Sequence, residues 1–302
     1  MSAAFAASDK RVGLDALASH VSDGDLLAVG GGLSSREPMA ALRALIRAGR
    51  RRLQVVGSAH GIDIDLLCGA GAVAKSLESY VGFEQDFGMA PNYRRACESG
   101  AVEVADTCCY TVVQQLRAAA YGLPFLPVRS VRGTDFARLH PEYLPMTCPF
   151  TGEDYVLLKA LTPDVSFVHV QVADGEGNCR IDGPRWENEE QAKAANRIVV
   201  IAEEIVSTDE IRRQPERTII PGHRVEAVVH QPYGAHPTAV YGRYDYDAEH
   251  LKLYVGHSKK GGRIEDYLKT FVLGTKDHGE YLDKAGGQAR MNALKARPGL
   301  GS

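Results

Sequence analysis

The feature that most restricts what this chain can fold into is a recurring alternation of short apolar runs, glycine-rich turns and amphipathic stretches. Leu26–Val29 is a four-residue apolar run that ends in Gly30-Gly31-Gly32, continues through Ser34-Ser35-Arg36-Glu37-Pro38 and passes into MAALRALIRAG. The run has strand length, and the apolar spacing after it is helical. Ser34 with Glu37 three residues on fits a capping box, Pro38 falls in the first turn, and Gly49 supplies the stop. The unit recurs: 53–56 leads into GSAHG and IDIDLLCG, 79–83 into a loop and NYRRACESG, and 102–105 into YTVVQQLRAAAYG. Strands joined by helices must run parallel and be covered, so the expected fold is α/β, an open, mostly parallel sheet with helices on both faces. The runs 165–172, with its DGEGN turn, 197–202 and 225–229 extend the sheet. No repeat or composition shift marks a boundary, so 1–302 reads as a single domain. The Pro-, Arg- and Gly-rich stretch 129–151 is expected to be a long excursion, and the last fifty residues a helical covering layer.

Composition narrows the function classes. The 302 residues carry 35 basic against 38 acidic side chains, a net charge of -3, so bulk charge recruits neither nucleic acid nor an anionic membrane. No apolar run approaches the roughly 18 to 20 residues that cross a bilayer. The opening MSAAFAASDKRVG has no basic segment followed by an apolar core, and a cytoplasmic location is expected. Cys68, Cys97, Cys108, Cys109, Cys148 and Cys179 form no C-x-x-C pair and no zinc-ligand spacing, so reduced thiols and no metal site are expected.

The glycine turn has a chemical use as well as a steric one. At the carboxyl edge of a parallel strand, glycines let backbone N–H groups approach an anionic ligand, and the following helix N-terminus favours it. On spacing alone, a turn that only reverses the chain is equally compatible. Neither G-x-x-x-x-G-K-[ST] nor G-x-G-x-x-G is present, which lowers nucleotide binding in rank.

Asp23-Gly24, the triplet Leu27-Ala28-Val29, Gly30-Gly31 and Pro38 seven residues later resemble the N-terminal signature of family I CoA-transferases. Two positions depart from it: Gly32 stands where phenylalanine is usual, and Arg36 where glycine is. The segments GLPFLPV (122–128), EEIVSTDEIRR (203–213), PYGAHP (232–237), YGRYDYD (241–247), KDHGEYL (276–282) and RPGLG (297–301) extend the resemblance to the α-subunit type that acts on short dicarboxylates such as glutaconate. In that family a glutamate carboxylate attacks an acyl-CoA thioester, giving an anhydride and then an enzyme-bound CoA thioester. The glutamate belongs to a Ser-Glu-Asn-Gly motif of the β subunit, and this chain has none; ESGA at Glu98 and GEGN at Gly175 do not match it. The resemblance therefore implies no catalytic residue here, a β-subunit partner in a heterotetramer or larger complex, coenzyme A as substrate with no resident cofactor, and one wall of a shared site that binds acyl-CoA and carboxylic acid.

The expected wall comprises Gly30, Gly31, Ser34, Ser35 and Arg36 from the first loop, Ser58, His60 and Gly61 from the second, and Phe83, Glu84 and Gln85 from the third. Arg36 is a candidate bidentate clamp for a distal carboxylate, against the alternative of a solvated arginine in a first helical turn. His60 reads either as a donor to a carbonyl or as a loop histidine bonded to backbone. Cys108-Cys109 and His236 read as structural, and Arg212, Arg213 and Arg217, interleaved with Glu210 and Glu216, as a solvated face. Relatives of this architecture that hydrolyse cyclic CoA thioesters or decarboxylate acyl-CoA are rivals, as is a non-catalytic ligand-binding module. The hydrolase type has an acidic group around 105–109, where this chain has Asp106 and then Thr-Cys-Cys.

Overall fold

The computed structural model describes residues 9–295, so RPGLG (297–301) lies outside the described residues. Among the described residues the main sheet has eight strands. In chain order the strands are β1 (Leu26–Val29), β2 (Leu53–Gly57), β3 (Val73–Glu78), β4 (Glu103–Val104), β5 (Phe125–Val128), β6 (Leu144–Thr147), β7 (Asp154–Lys159), β8 (Val165–Asp174), β9 (Cys179–Arg180), β10 (Arg197–Val206) and β11 (Ala227–His230). The main sheet runs β11-β10-β8-β1-β2-β3-β4 with every neighbour parallel, and β9 pairs antiparallel with β8. Helices α1 (Met39–Arg47), α2 (Ile62–Gly69), α3 (Glu84–Phe87), α4 (Pro91–Glu98) and α5 (Cys109–Ala120) follow the first strands, and α6 (Phe136–Leu139) lies in the excursion. After them come α7 (Asn188–Ala194), α8 (Thr208–Arg212), α9 (Ala248–Ser258), α10 (Ile264–Leu268), α11 (His278–Lys284) and α12 (Gly287–Lys295).

Successive strand residues serve opposite cores, as the pleat requires. Leu27, Val29, Val199 and Ile201 pack with Leu42 and Leu45 of α1, Ile64 of α2 and Tyr254 of α9. On the other face, Ala28 and Val56 meet Val112 of α5, while Ile198 and Val200 meet Ala192 of α7. Helices thus cover both faces, and the helical C-terminal layer seals one of them. None of the helices among the described residues is long and apolar enough to cross a membrane.

The structure corrects three local expectations. The third strand is β3, Val73–Glu78, and 79–83 is the loop after it. The stretch Gly69 to Lys75 is rich in Gly and Ala and hides the strand, whereas the apolar Tyr80-Val81-Gly82-Phe83 imitates one. The excursion 129–151 contributes β6 to a three-stranded antiparallel sheet, β5-β7-β6, whose other two strands flank it in sequence. Pro127 and Pro145 sit in its two edge strands, the places where a missing N–H is tolerated. The capping box does not form: α1 begins at Met39 with no side-chain cap, and Glu37 turns into the interior.

Candidate functional site

The strand order reverses direction at β1, whose neighbours β8 and β2 lead opposite ways, and ligands of open α/β sheets bind in such a crevice. A cavity of about 310 Å³ opens at this edge, lined by Leu33, Ser34, Ile62, Gly82, Phe83, Glu84, Phe87, Thr238, Tyr246 and Leu251. Of the expected wall residues, Ser34, Phe83 and Glu84 line it. Glu84 is exposed and holds a left-handed φ of 51°. The side chain of Gln85 lies outside the described residues. Gly61 is packed between carbonyls, a Cβ there meeting Leu33 O at 3.0 Å and Gly82 O at 3.1 Å.

The first loop faces inward. Gly30 N donates to Phe167 O at 2.7 Å and Gly31 N to Asn188 Oδ1 at 2.9 Å, so these two amides are committed to β8 and α7. Gly31 has φ 102°, and a Cβ would stand 2.7 Å from Glu37 N, which explains the glycine sterically. Ser35 closes a turn with Gly32. Arg36 is fully buried and is not among the residues lining the cavity. Its Nη2 donates to Pro184 O at 2.6 Å, and its Nη1 to His169 O and Asn188 Oδ1, each at 3.2 Å. Burial lowers its pKa to about 10, so it stays charged at neutral pH while tying the first loop to residues 169–188. Neither the carboxylate clamp nor the solvated arginine describes this residue.

Beneath the second loop lies a buried acidic group. His60 Nδ1 meets Asp63 Oδ2 at 2.5 Å, and its Nε2 stands 3.9 Å from Glu78 Oε2. Asp63 Oδ1 accepts from Gly61 N and Ile64 N in the first turn of α2. Glu37 Oε2 accepts from Asp63 N at 3.3 Å, and Glu187 Oε1 from Ser58 N at 2.8 Å and Ser58 Oγ at 2.6 Å. None of these four carboxylates is bonded to lysine or arginine among the described residues. Glu37 Oε1, His60 Nε2 and both Glu78 oxygens have no hydrogen-bond partner. Burial opposes the charged form of His60, yet Glu78 and Asp63 outweigh it and hold the imidazole well above its ordinary pKa. Burial raises Glu37 well above the carboxylate range and Glu78 to about 8. The group therefore carries protons where a surface cluster would carry counterions. The donor atoms of Glu37, His60 and Asp63 lie within 4.8 Å of one another, close enough for one cation to touch all three. Sequence spacing does not reveal this set, because Glu37 joins it through the tertiary fold.

The remaining candidates separate cleanly. His236 is buried, bonded to Tyr281 Oη at 2.8 Å and Asp247 Oδ2 at 3.1 Å. Cys108 caps α5 with Thr111, and Cys109 is exposed with its Sγ 3.1 Å from Ser79 Oγ. Arg212 and Arg217 make exposed pairs with Asp209 and Asp182, and Arg213 is exposed. Sequence reasoning missed Glu187 and Asn188, which reach the first two loops from more than a hundred residues away.

The coenzyme A transferase family model matches residues 14–231. A glutaconate CoA-transferase subunit of Acidaminococcus fermentans is 37% identical over 95% of this chain and 94% of its own length. The crystal structure of glutaconate coenzyme A-transferase from that organism superposes with a TM-score of 0.91 at 36% identity, covering 97% of both chains. A 3-oxoadipate CoA-transferase subunit of Pseudomonas knackmussii is 31% identical over 89% of this chain and 95% of its own length. The cholesterol ring-cleaving hydrolase IpdA subunit of Rhodococcus jostii is 31% identical over 89% and 94% respectively.

Proposed function

Because this chain belongs to the coenzyme A transferase family, we propose that it is the α-type subunit of a CoA-transferase that moves CoA between an acyl-CoA and a short dicarboxylic acid, with the attacking glutamate on a partner β subunit. The observation that carries this reading is how the carboxylates at the strand ends are used. Glu37, Asp63, Glu78 and Glu187 are all buried, and Asp63 and Glu187 are held by backbone N–H groups, so none of these four reaches a thioester, and Glu84 is the exposed exception. The partner's carboxylate would add to the acyl carbonyl and the C–S bond would break to release CoA thiolate; the thiolate would attack the glutamyl carbonyl of the anhydride, releasing the first acid as its carboxylate, and the second carboxylate would take CoA from the partner's glutamate by the same two steps in reverse. The dicarboxylate preference rests on glutaconate and 3-oxoadipate, the acids in the names of two relatives, with the exposed Ser34 at the cavity as a hydroxyl for the acid to meet. Six free cysteines accord with a cytoplasmic enzyme.

The test is to assemble the chain with its β subunit and supply acyl-CoA, then borohydride. Ping-pong kinetics, with reduction trapping a modified glutamate on the partner, is the expected outcome. Label on this chain would refute the division of roles. One observation favours a second reading. Glu84 is the carboxylate among the cavity-lining residues, and it is exposed. In a hydrolase like the ring-cleaving relative it would act as general base for water, and CoA-dependent hydrolysis abolished by Glu84→Gln would replace transfer as the reaction.

A further inference from the structure

The loop after β3 holds one carboxylate at the cavity in a backbone conformation that the residue does not adopt by itself. Glu84 has φ 51°, in the left-handed region that a non-glycine residue occupies when its surroundings impose it. The loop supplies that constraint by closing around the residue. Phe83 N donates to Gly88 O at 2.7 Å, Gly88 N to Glu84 O at 2.8 Å, and Gly82 N to His60 O at 2.9 Å. The Phe83 ring packs on Tyr254 with centroids 6.0 Å apart. So placed, Glu84 lines the cavity of about 310 Å³ and is exposed. It makes no ion pair and no side-chain hydrogen bond among the described residues. Apart from Glu84, the residues lining the cavity are aliphatic, aromatic, glycine or hydroxyl-bearing, and none is lysine, arginine or histidine. The Thr238 hydroxyl is already committed, donating to Ala235 O and accepting from Glu37 N. The basic groups nearby in sequence are engaged as well: His60 is turned to Asp63 and Glu78, and Arg36 to the carbonyls of His169 and Pro184. The one charge that the lining carries is negative.

We propose that Glu84 is a specificity-determining residue of the acyl site: it disfavours a second carboxylate in the cavity, so an acyl group with an uncharged end fills it and a dicarboxylic acyl group keeps its far carboxylate outside. The inference rests on the CoA-transfer reading above and assigns the cavity to the acyl group within that reading. The volume is at the bottom of the range for small-molecule sites and fits a short acyl chain, whose methylenes the apolar lining accepts. A carboxylate entering the same space loses hydration, finds no cation in exchange and stands close to Glu84. Two unit charges about 7 Å apart repel by about 3-fold in an equilibrium constant at the dielectric constant of water, and by about 50-fold at the effective value near a protein surface.

The experiment compares kcat/KM of the assembled α/β complex for glutaryl-CoA and for butyryl-CoA, which is the same acyl chain without its second carboxylate. Glu84→Gln keeps the shape and removes the charge, and it should raise the glutaryl-to-butyryl ratio about tenfold. Glu84→Asp keeps the charge and should leave the ratio near the wild-type value. Raising the ionic strength from about 0.05 to 0.5 M should lift the ratio in the wild type by screening and leave it flat in Glu84→Gln, a difference that a purely structural role would not produce. A ratio that is unchanged or lower in Glu84→Gln overturns the proposal, and an equal loss for both substrates, the result expected of a general base, does the same. Calorimetric binding of free glutarate and butyrate reads the same selectivity without turnover. A complex that transfers no CoA therefore refutes the CoA-transfer reading, while the two acids still decide this inference: glutarate binding that tightens relative to butyrate in Glu84→Gln supports it, and unchanged relative affinity, or no binding of either acid, overturns it.

Discussion

Replacing Glu78 by glutamine should flatten the alkaline side of the stability profile. Glu78 is buried below Gly57 with neither oxygen hydrogen-bonded, and burial lifts its pKa from 4.5 to about 8. Between those values the folded protein holds a proton that the unfolded chain has released. Stability from this group is thus complete below pH 4.5 and is lost as pH rises through about 8. At 1.36 kcal/mol per pH unit the whole interval amounts to about 5 kcal/mol, and the span from pH 5 to 8 to about 4 kcal/mol. Glutamine keeps the shape and the neutral state and has no proton to lose. Urea unfolding at pH 5.5, 6.5, 7.5 and 8.0 should show wild-type stability falling by about 1.4 kcal/mol per unit more steeply than Glu78→Gln. His60, raised in part by Glu78 itself, adds a slope of the same sign above pH 6.5 that Glu78→Gln weakens, so the two effects reinforce each other above that pH and the points at 5.5 and 6.5 isolate Glu78. Parallel profiles for the two proteins would mean that Glu78 ionises normally and that the buried group is wetter than its geometry implies.

Arg36→Ala should destabilise by about 3–5 kcal/mol, because it removes the guanidinium from Pro184 O and His169 O and leaves Asn188 Oδ1 with Gly31 N alone, while the kcat/KM ratio of glutaryl-CoA to butyryl-CoA moves less than about twofold. A selective loss for glutaryl-CoA in a protein of native stability would reinstate the carboxylate clamp. On the acid side, burial pushes His236 and His278 down and His250 to about 3. The unfolded chain therefore takes up these protons first, and their contribution, complete above pH 6.5, is lost as pH falls toward 3. His250→Gln should make the acid limb shallower by about 1.4 kcal/mol per pH unit in urea unfolding between pH 6 and 4, and an unchanged limb would show that His250 charges freely in the folded protein.

Local periodicity made the sheet legible. The runs at 26–29, 53–56 and 197–202 are strands because apolar residues bounded by turns have few other uses. The three-stranded sheet stayed hidden because Pro127 and Pro145 argue against strands unless their edge position is known. The first loop was legible as a glycine turn at a strand end, but the direction its groups face was not. Whether Gly31 N faces a ligand or Asn188 depends on a residue 157 positions away, and no local pattern encodes that contact. Arg36 misled for the same reason: its nearest sequence neighbours suggest solvent, and its partners are carbonyls of β8 and of the strap before α7. Ser34 and Glu37 matched a capping box by spacing, and the buried position of Glu37 overrode it.

The bond between Gly31 and Asn188 also sets an order of events during synthesis. β1, β2 and β3 leave the ribosome first, with the glycine turn and three of the four inward carboxylates already made. At about 5–20 residues per second, Glu187 and Asn188 follow roughly 5–22 s after Glu78. Until they arrive, the turn lacks its acceptor, Arg36 lacks its carbonyls, and Ser58 lacks Glu187. The nascent first half therefore waits with apolar strand faces and hydrated carboxylates open to solvent. Such exposed apolar surface is prone to aggregate, and a pause in translation before residue 188 would lengthen that exposure in proportion.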